Sequence, residues 1–246
     1  MGLKAAAADQ ELLLELQDYD TRLQRLDHQL RTLPQRAELE RLEGELQEAR
    51  RTVVEQTGRL EDAQAELGRV EADVAVVAAR IERDSARLQT SSSVKDVQAL
   101  EQELAALARR QDELEEIQLV VMQRVEDHEN ELATTRAALE ALEARIAETT
   151  AARDEAAAAL EQERANVATD RATIAQRVPA ELLALYEKQR ARYGIGASHL
   201  RGGVSSASGV ALNATDLDAV RAAAPDDVLL CPDSNAVLVR TAESGL

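Results

Sequence analysis

Phenylalanine and tryptophan are absent from this sequence, and three tyrosines (Tyr19, Tyr186, Tyr193) make up its whole aromatic content. That scarcity excludes the usual globular core, which draws much of its buried area from aromatic side chains. Cysteine is nearly absent too. The single thiol, Cys231, excludes an internal disulfide and points to a reducing, cytoplasmic setting. No run approaches the roughly 18 apolar residues of a membrane span. The opening Met1-Gly2-Leu3-Lys4-Ala5 is followed by Asp9 and Glu11, so no secretory leader is expected. Positive charge is also short: the net charge is -17 over 246 residues. Residues 1–177 hold -15 of it, residues 178–203 are at +2 and residues 204–246 at -4. Such a surface repels nucleic acid and suits basic protein partners, although a solvated helical exterior alone accounts for the glutamates.

What remains is Ala, Leu, Val, Glu and Arg, the composition of long helices and coiled coils. From Leu39, one heptad position is apolar eight times running: Leu39, Leu46, Val53, Leu60, Leu67, Val74, Ile81, Leu88. Its companion runs Leu42, Ala49, Gln56, Ala63, Val70, Val77, Asp84. Alternating spacings of four and three keep both series on one helix face, which is a coiled-coil seam. Upstream, Leu12, Tyr19, Leu26, Leu33 and Leu16, Leu23, Leu30, Ala37 form a similar stripe in another phase. The phase slips at Pro34, where a kink or short break is expected.

The first stripe ends at Leu88. Thr90-Ser91-Ser92-Ser93 supplies poor helix formers and good caps, with Ser93 and Asp96 at capping-box spacing. A second stripe then runs from Val97 through Leu114, Val121 and Leu132 to Ile174. Two arms of about 80 residues joined by a polar turn predict an antiparallel hairpin ~120 Å long. The competing arrangement is one continuous helix in a parallel dimer; the near-equal arms and the serine turn favour the hairpin. Leu39 and Leu42 should then lie opposite residues 140–146. Polar residues interrupt the seams at Gln56, Asp84, Gln111, Gln118, His128 and Arg153. His128 reads as a paired register residue rather than a pH switch.

Pro179 ends or bends the second arm, and Ala180 to Tyr193 predicts a neck helix stopped by Gly194 and Gly196. Val210-Ala211-Leu212 suggests a short strand, and Asn213 with Asp216 caps a helix to about Ala223, closed by Pro225. Val228-Leu229-Leu230 and Ala236-Val237-Leu238-Val239 read as a β-hairpin around Cys231. Ser205-Ser206-Ala207-Ser208-Gly209 and Cys231-Pro232-Asp233-Ser234-Asn235 carry the layout of a two-knuckle zinc ribbon. Three of its four ligand positions, however, are serine. Structural zinc takes about four N or S donors, and a neutral hydroxyl replaces a thiolate poorly. Gly209, and after it Asn235, suit the positive φ that follows a knuckle's second ligand, so turn geometry can outlast the metal. Serine hydroxyls can cap such turns by accepting from backbone amides.

The chain resembles the bacterial coiled-coil proteins that carry a C-terminal C4-type zinc ribbon. The resemblance rests on Leu16-Gln17-Asp18-Tyr19-Asp20-Thr21 with Leu33-Pro34, and on Arg80 to Leu104 with its Lys95-Asp96 turn. Leu182 to Arg192 and Leu212-Asn213-Ala214-Thr215-Asp216-Leu217 through Leu238-Val239-Arg240-Thr241 complete it. It implies a mainly α fold: an antiparallel two-helix coiled-coil hairpin with a small zinc-ribbon-like α+β module. Ligand positions implied by the family fall on Ser205, Ser208, Cys231 and Ser234, and only Cys231 is a thiol, so no zinc is expected here. The corresponding domains are 1–177 for the hairpin, with its turn near 90–95, and 178–246 for neck helix and module.

No nucleotide-binding, serine-hydrolase or metalloprotease motif is present, and His28, His128 and His199 are far apart in the sequence. Asp233 beside Cys231 is expected to raise its pKa and blunt it as a nucleophile. No enzyme is expected. The leading reading is a cytoplasmic interaction, adaptor or chaperone-like protein, monomeric or homodimeric and independent of membranes, that shows a degenerate ribbon to a protein partner. The competing reading is nucleic-acid binding through Lys188, Arg190, Arg192 and Arg201, with Tyr186 and Tyr193 as stacking surfaces. Residues 204–246 are near the size at which a domain needs a metal or disulfide, so the module is expected to lean on Leu182, Leu185 and Tyr186.

Overall fold

The computed structural model describes residues 2–246. Helix α1 spans Ala7–Arg31, α2 Pro34–Thr90, α3 Val94–Ala175 and α4 Ala180–Tyr193. The break expected at Pro34 is there: Thr32 and Leu33 leave the helix, and Pro34 restarts it at a first-turn position where its missing N–H costs nothing. Ser91–Ser93 form the turn between α2 and α3, and the Ser93 hydroxyl accepts from the Asp96 amide at 3.5 Å.

By their contacts, the residues form two units, Ala37–Ala151 and Met1–Arg36 with Ala152–Leu246. The first is a hairpin unit. Its helices are antiparallel, as the ion pairs across them show: Glu38 with Arg145 at 2.7 Å, Arg50 with Glu143 at 2.9 Å, Glu66 with Arg124 at 2.7 Å, and Arg80 with Glu103. Leu39 and Leu42 are buried beside the Glu38–Arg145 pair, in the expected register. Its seam also buries Ala63, Leu100, Leu114, Val121 and Leu132. Asp84 is buried at the seam between Arg80 and Arg87, and half-buried His128 lies 3.6 Å from Glu131, a paired polar residue as expected.

The second unit is composite. Strands β1 (Ala197–Arg201), β2 (Val204–Ser205), β3 (Leu229–Leu230) and β4 (Val237–Val239) form a sheet in the order β2-β1-β4-β3, with β1 and β4 parallel and the outer pairs antiparallel. Helix α5 (Ala214–Ala222) starts where Asn213 Oδ1 accepts from the Asp216 amide at 2.9 Å. One core joins Leu13 and Leu16 of α1, Ile174 of α3 and Val178 to Leu182 and Tyr186 of α4 and to Ala197, Val237 and Val239 of the sheet. The boundary anticipated at Val178 therefore falls inside this unit, because α1 packs on the sheet as well as the neck does, and Ile174 of α3 shares their core. The seam of α1 also departs from expectation. Leu13 and Asp20 are buried where Leu12 and Tyr19 were expected and are only half-buried, since α1 must satisfy α4 and the sheet together with α3.

Two strand assignments are corrected. Val210-Ala211-Leu212 is no strand; Ala211 makes only an isolated bridge to Val204. His199, in a stretch given no element from the sequence, lies on β1. Strands β1 and β2 are joined by Gly202 and Gly203, both at positive φ (53° and 77°), which is the geometry of a two-residue hairpin whose twist matches its strands. A Gly-Gly pair between Arg201 and Val204 was the sequence signal for it.

Candidate functional site

The zinc-ribbon layout maps onto two turns of one design. In the first, the Gly209 amide donates to the Ser205 carbonyl at 2.8 Å, and the Ser205 amide to the Val210 carbonyl at 3.1 Å. In the second, Asn235 N–H donates to the Cys231 carbonyl at 2.9 Å, and Cys231 N–H to the Ala236 carbonyl at 2.8 Å. Gly209 has φ 67° and Asn235 φ 58°, the only non-glycine residue at positive φ among those described. The hydroxyl two residues before each turn's exit caps it: Ser208 Oγ accepts from Val210 N–H at 3.2 Å, Ser234 Oγ from Ala236 N–H at 3.4 Å. Both features follow from the sequence, since only Gly or Asn tolerates that φ cheaply and a serine oxygen is placed to accept the amide.

Between the turns, the buried Cys231 thiol donates to Ser205 Oγ at 3.3 Å, and Ser205 Oγ lies 2.7 Å from Ser198 Oγ on β1. Ser198 also accepts from Ala207 N–H at 3.1 Å. It stands outside the ligand frame, and no sequence signal marked it. Burial pushes the Cys231 thiol up, but the Ser205 and Ser234 hydroxyls and the Ser234 and Asp233 amides, which can donate to the thiolate form, outweigh it and leave the pKa below the ordinary value. The expectation that Asp233 raises it is thus overturned: the backbone amide of Asp233, not its carboxylate, is what Cys231 meets.

These residues do not fit zinc. The frame offers one thiol and three hydroxyls, and Ser205 Oγ is already shared between Ser198 and Cys231. Among the described residues, no three His, Cys, Asp or Glu side chains converge as metal ligands.

The four basic positions Lys188, Arg190, Arg192 and Arg201 part ways. Arg190 is spent inside the composite unit, on Asp20 at 3.2 Å and Glu187 at 2.8 Å. Arg201 pairs with Glu243 at 2.7 Å. Lys188 and Arg192 are exposed, and Arg192 lies over the Tyr193 ring at 5.2 Å. Tyr186 cannot stack a base: it is fully buried, with its hydroxyl donating to Asp20 at 2.7 Å. Burial first, then that bond to the Asp20 carboxylate, pushes its phenol well above the ordinary range.

Asp20 is the hub of the docking. Its carboxylate accepts from Arg171, Arg190 and Tyr186, and Arg171 continues to Glu187. Burial pushes the Glu187 carboxyl up, but the guanidiniums of Arg171 and Arg190 more than offset this and hold it below its ordinary value. Gln17 Oε1 accepts from the amides of Gly196 at 2.7 Å and Ala197 at 3.2 Å. Gly196 has no room for a side chain, because a Cβ there would sit 2.5 Å from the Tyr186 ring. The Leu16–Thr21 stretch thus supplies two anchors of the neck and sheet. Sequence reasoning also missed Arg240, whose guanidinium donates to the carbonyls of Val220, Ala223, Ala224, Pro225 and Asp227 and closes the end of α5.

Beside the first turn is a cleft of about 510 Å³ lined by Leu14, Asp18, His199, Arg201, Val204 and Ser206 among others. His199 Nε2 lies 2.8 Å from Thr241 Oγ1. Val204 on its lining is exposed, as is Val210, whose carbonyl accepts from the Ser205 amide.

A coiled-coil hairpin and a small four-stranded C-terminal module define the class. The CT398-like coiled coil hairpin domain matches residues 16–194, and the chain belongs to that family. The uncharacterized protein Rv2229c of Mycobacterium tuberculosis is 34% identical over 239 residues, covering 97% of this chain and 98% of the relative. A solved structure from Mycobacterium smegmatis is 33% identical, with a TM-score of 0.85 over 97% of this chain and all of that one. CT398 from Chlamydia trachomatis shares the fold, with a TM-score of 0.64 at 18% identity over 94% of this chain and 97% of its own. Neither the family nor these relatives carry an enzymatic description. No helix among the described residues is long and apolar enough to cross a membrane.

Proposed function

We propose that this chain is a non-enzymatic, cytoplasmic interaction protein of the adaptor or chaperone-like kind, which presents its C-terminal module to a protein partner. The observation that carries the reading is the pair of serine-capped turns. Backbone and serine hydrogen bonds hold both turns, beside exposed Val204 and Val210. The partner surface is the cleft edge formed by those two valines. Affinity capture with the full chain, run beside Val204→Ser/Val210→Ser, tests it. The reading expects a protein held by the native chain and released by the variant. Retention of a nucleic acid instead, with affinity falling steeply as salt rises, overturns it.

The module is proposed to hold no zinc. Elemental analysis finding about one zinc per chain overturns that. Ser205→Cys/Ser208→Cys/Ser234→Cys, by contrast, should bind about one zinc per chain, because the turns already have the required backbone. The nucleic-acid reading retains one favourable observation, exposed Lys188 and Arg192 beside half-exposed Tyr193.

A further inference from the structure

Between Gln111 and Glu131, helix α3 carries eight carboxylates and a single guanidinium. In the middle of this acidic stretch it reads Ile117-Gln118-Leu119-Val120-Val121-Met122. Val121 is spent in the seam, but Ile117 is 44% exposed, Leu119 66%, Val120 62% and Met122 47%. At about 100° per residue, Ile117 and Val120 fall on one flank of the seam, Leu119 and Met122 on the other. The helix is therefore apolar around its circumference over these residues, a pattern proper to a helix covered on all sides. A lone exposed valine such as Val54 needs no explanation, whereas four large apolar side chains within six residues form a patch.

Each flank opens a cleft against α2. The first, about 500 Å³, has Ile117, Val120 and Val121 at its base and Glu66, Glu113, Glu116 and Arg124 around it. Arg124 is already held by Glu66 at 2.7 Å, Glu113 shares exposed Arg110 at 3.2 Å, and Glu116 has no cationic partner among the described residues. The second, about 360 Å³, sets Leu67, Leu119, Met122 and Val125 beside Glu126 and Glu129, with no cation.

We propose that this apolar collar is the docking surface for a basic amphipathic helix of a partner protein. The helix lies with its apolar face on Ile117 and Val120 and its lysines or arginines against Glu113 and Glu116. Charge decides the occupant. A second copy of this chain would set eight carboxylates against eight, and a neutral apolar helix would strip water from the rim carboxylates and return nothing. A cationic helix gains on both counts. The proposal rests on the reading of the chain as an interaction protein but uses the hairpin unit, so Val204 and Val210 variants leave it untouched.

The test uses the full chain and two labelled peptides of equal positive charge, a leucine–lysine amphipathic helix and a serine–lysine control. The native chain should bind the amphipathic peptide at least about tenfold more tightly than the control. Ile117→Ser/Val120→Ser should erase that preference, while Val54→Ser/Val76→Ser, at more exposed apolar positions elsewhere on the hairpin, should leave it unchanged. Glu113→Gln/Glu116→Gln should weaken binding and flatten its salt dependence. Equal affinity for the two peptides, or equal losses in the two valine-bearing double variants, overturns the proposal in favour of charge alone. A native chain that is dimeric without peptide, and that becomes monomeric in Ile117→Ser/Val120→Ser, overturns it in favour of a second copy.

Discussion

The hairpin unit and the composite unit are built from the same few residue types, yet they are held together differently. Residues 37–151 carry 27 carboxylates against 14 lysines and arginines, and their buried residues form a narrow seam in which most stabilising ion pairs are exposed. The remaining residues carry 19 against 15, and bury a two-faced core with Asp20, Arg171, Glu187 and Arg190 linked across three helices. A seam is a repeating contact, so each part depends mainly on its neighbours along the helix. A composite core is not: each element supplies a surface that no other element can.

The sharpest way to break the comparison is to cut the composite unit where the sequence suggested a boundary. Fragment 178–246 keeps Leu182, Leu185 and Tyr186 but loses Leu13, Leu16 and Ile174 from the same core. It should be largely unfolded by amide dispersion and heat-capacity measurements, and so should 204–246. A cooperative melt in 178–246 would show that the neck alone suffices, as the sequence suggested. Next in size is Asp20→Ala, which leaves Arg171, Arg190 and the Tyr186 hydroxyl without their shared acceptor. Breaking such a buried network costs about 3 kcal/mol, discounted because Arg190 is partly exposed. Denaturant titration should place the loss in the composite unit, with the hairpin helices unchanged by circular dichroism.

Acidity should separate the units more gently. A carboxyl whose folded pKa lies below its unfolded value stabilises the fold above the unfolded value, and that contribution is lost as pH falls through the folded one. Glu187 is of this kind, with an ordinary value of 4.5, so the composite unit should lose stability as pH drops below about 4.5. Tyr186 has the opposite sign: its raised pKa gives stability present below its ordinary value of 10.0 and declining above it. A melting temperature that is flat through both windows would remove these residues from the account. The smallest effect is expected in the hairpin: Arg50→Ala, which breaks the exposed pair with Glu143, should change stability by less than about 1 kcal/mol.

The resemblance was to coiled-coil proteins with a C-terminal zinc ribbon and reached from Leu16 to Thr241; the family match to residues 16–194 bears out its coiled-coil part. Local signals were legible because each has a local cause. Pro34 cannot donate a helical hydrogen bond, Ser91–Ser93 cap better than they propagate, Gly194 supplies a left-handed cap at φ 84°, and Asn213 accepts from Asp216. The positive φ at Gly209 and Asn235 was legible for the same reason. The β1 strand was not, because Ala197-Ser198-His199-Leu200-Arg201 has little strand propensity of its own and is held by β4 and by Gln17 from α1.

The sequence by itself determined the helices, their antiparallel register and the two serine-capped turns, since periodicity and backbone sterics act within a few residues. Only the tertiary structure decided which charges are free. Arg190 and Arg192 are alike in sequence, but Arg190 turns inward to Asp20 while Arg192 stays in solvent, and Cys231 meets an amide rather than a carboxylate at Asp233. Such differences depend on residues more than a hundred positions away, or on which atom of a neighbour a turn brings near, and chain spacing carries neither.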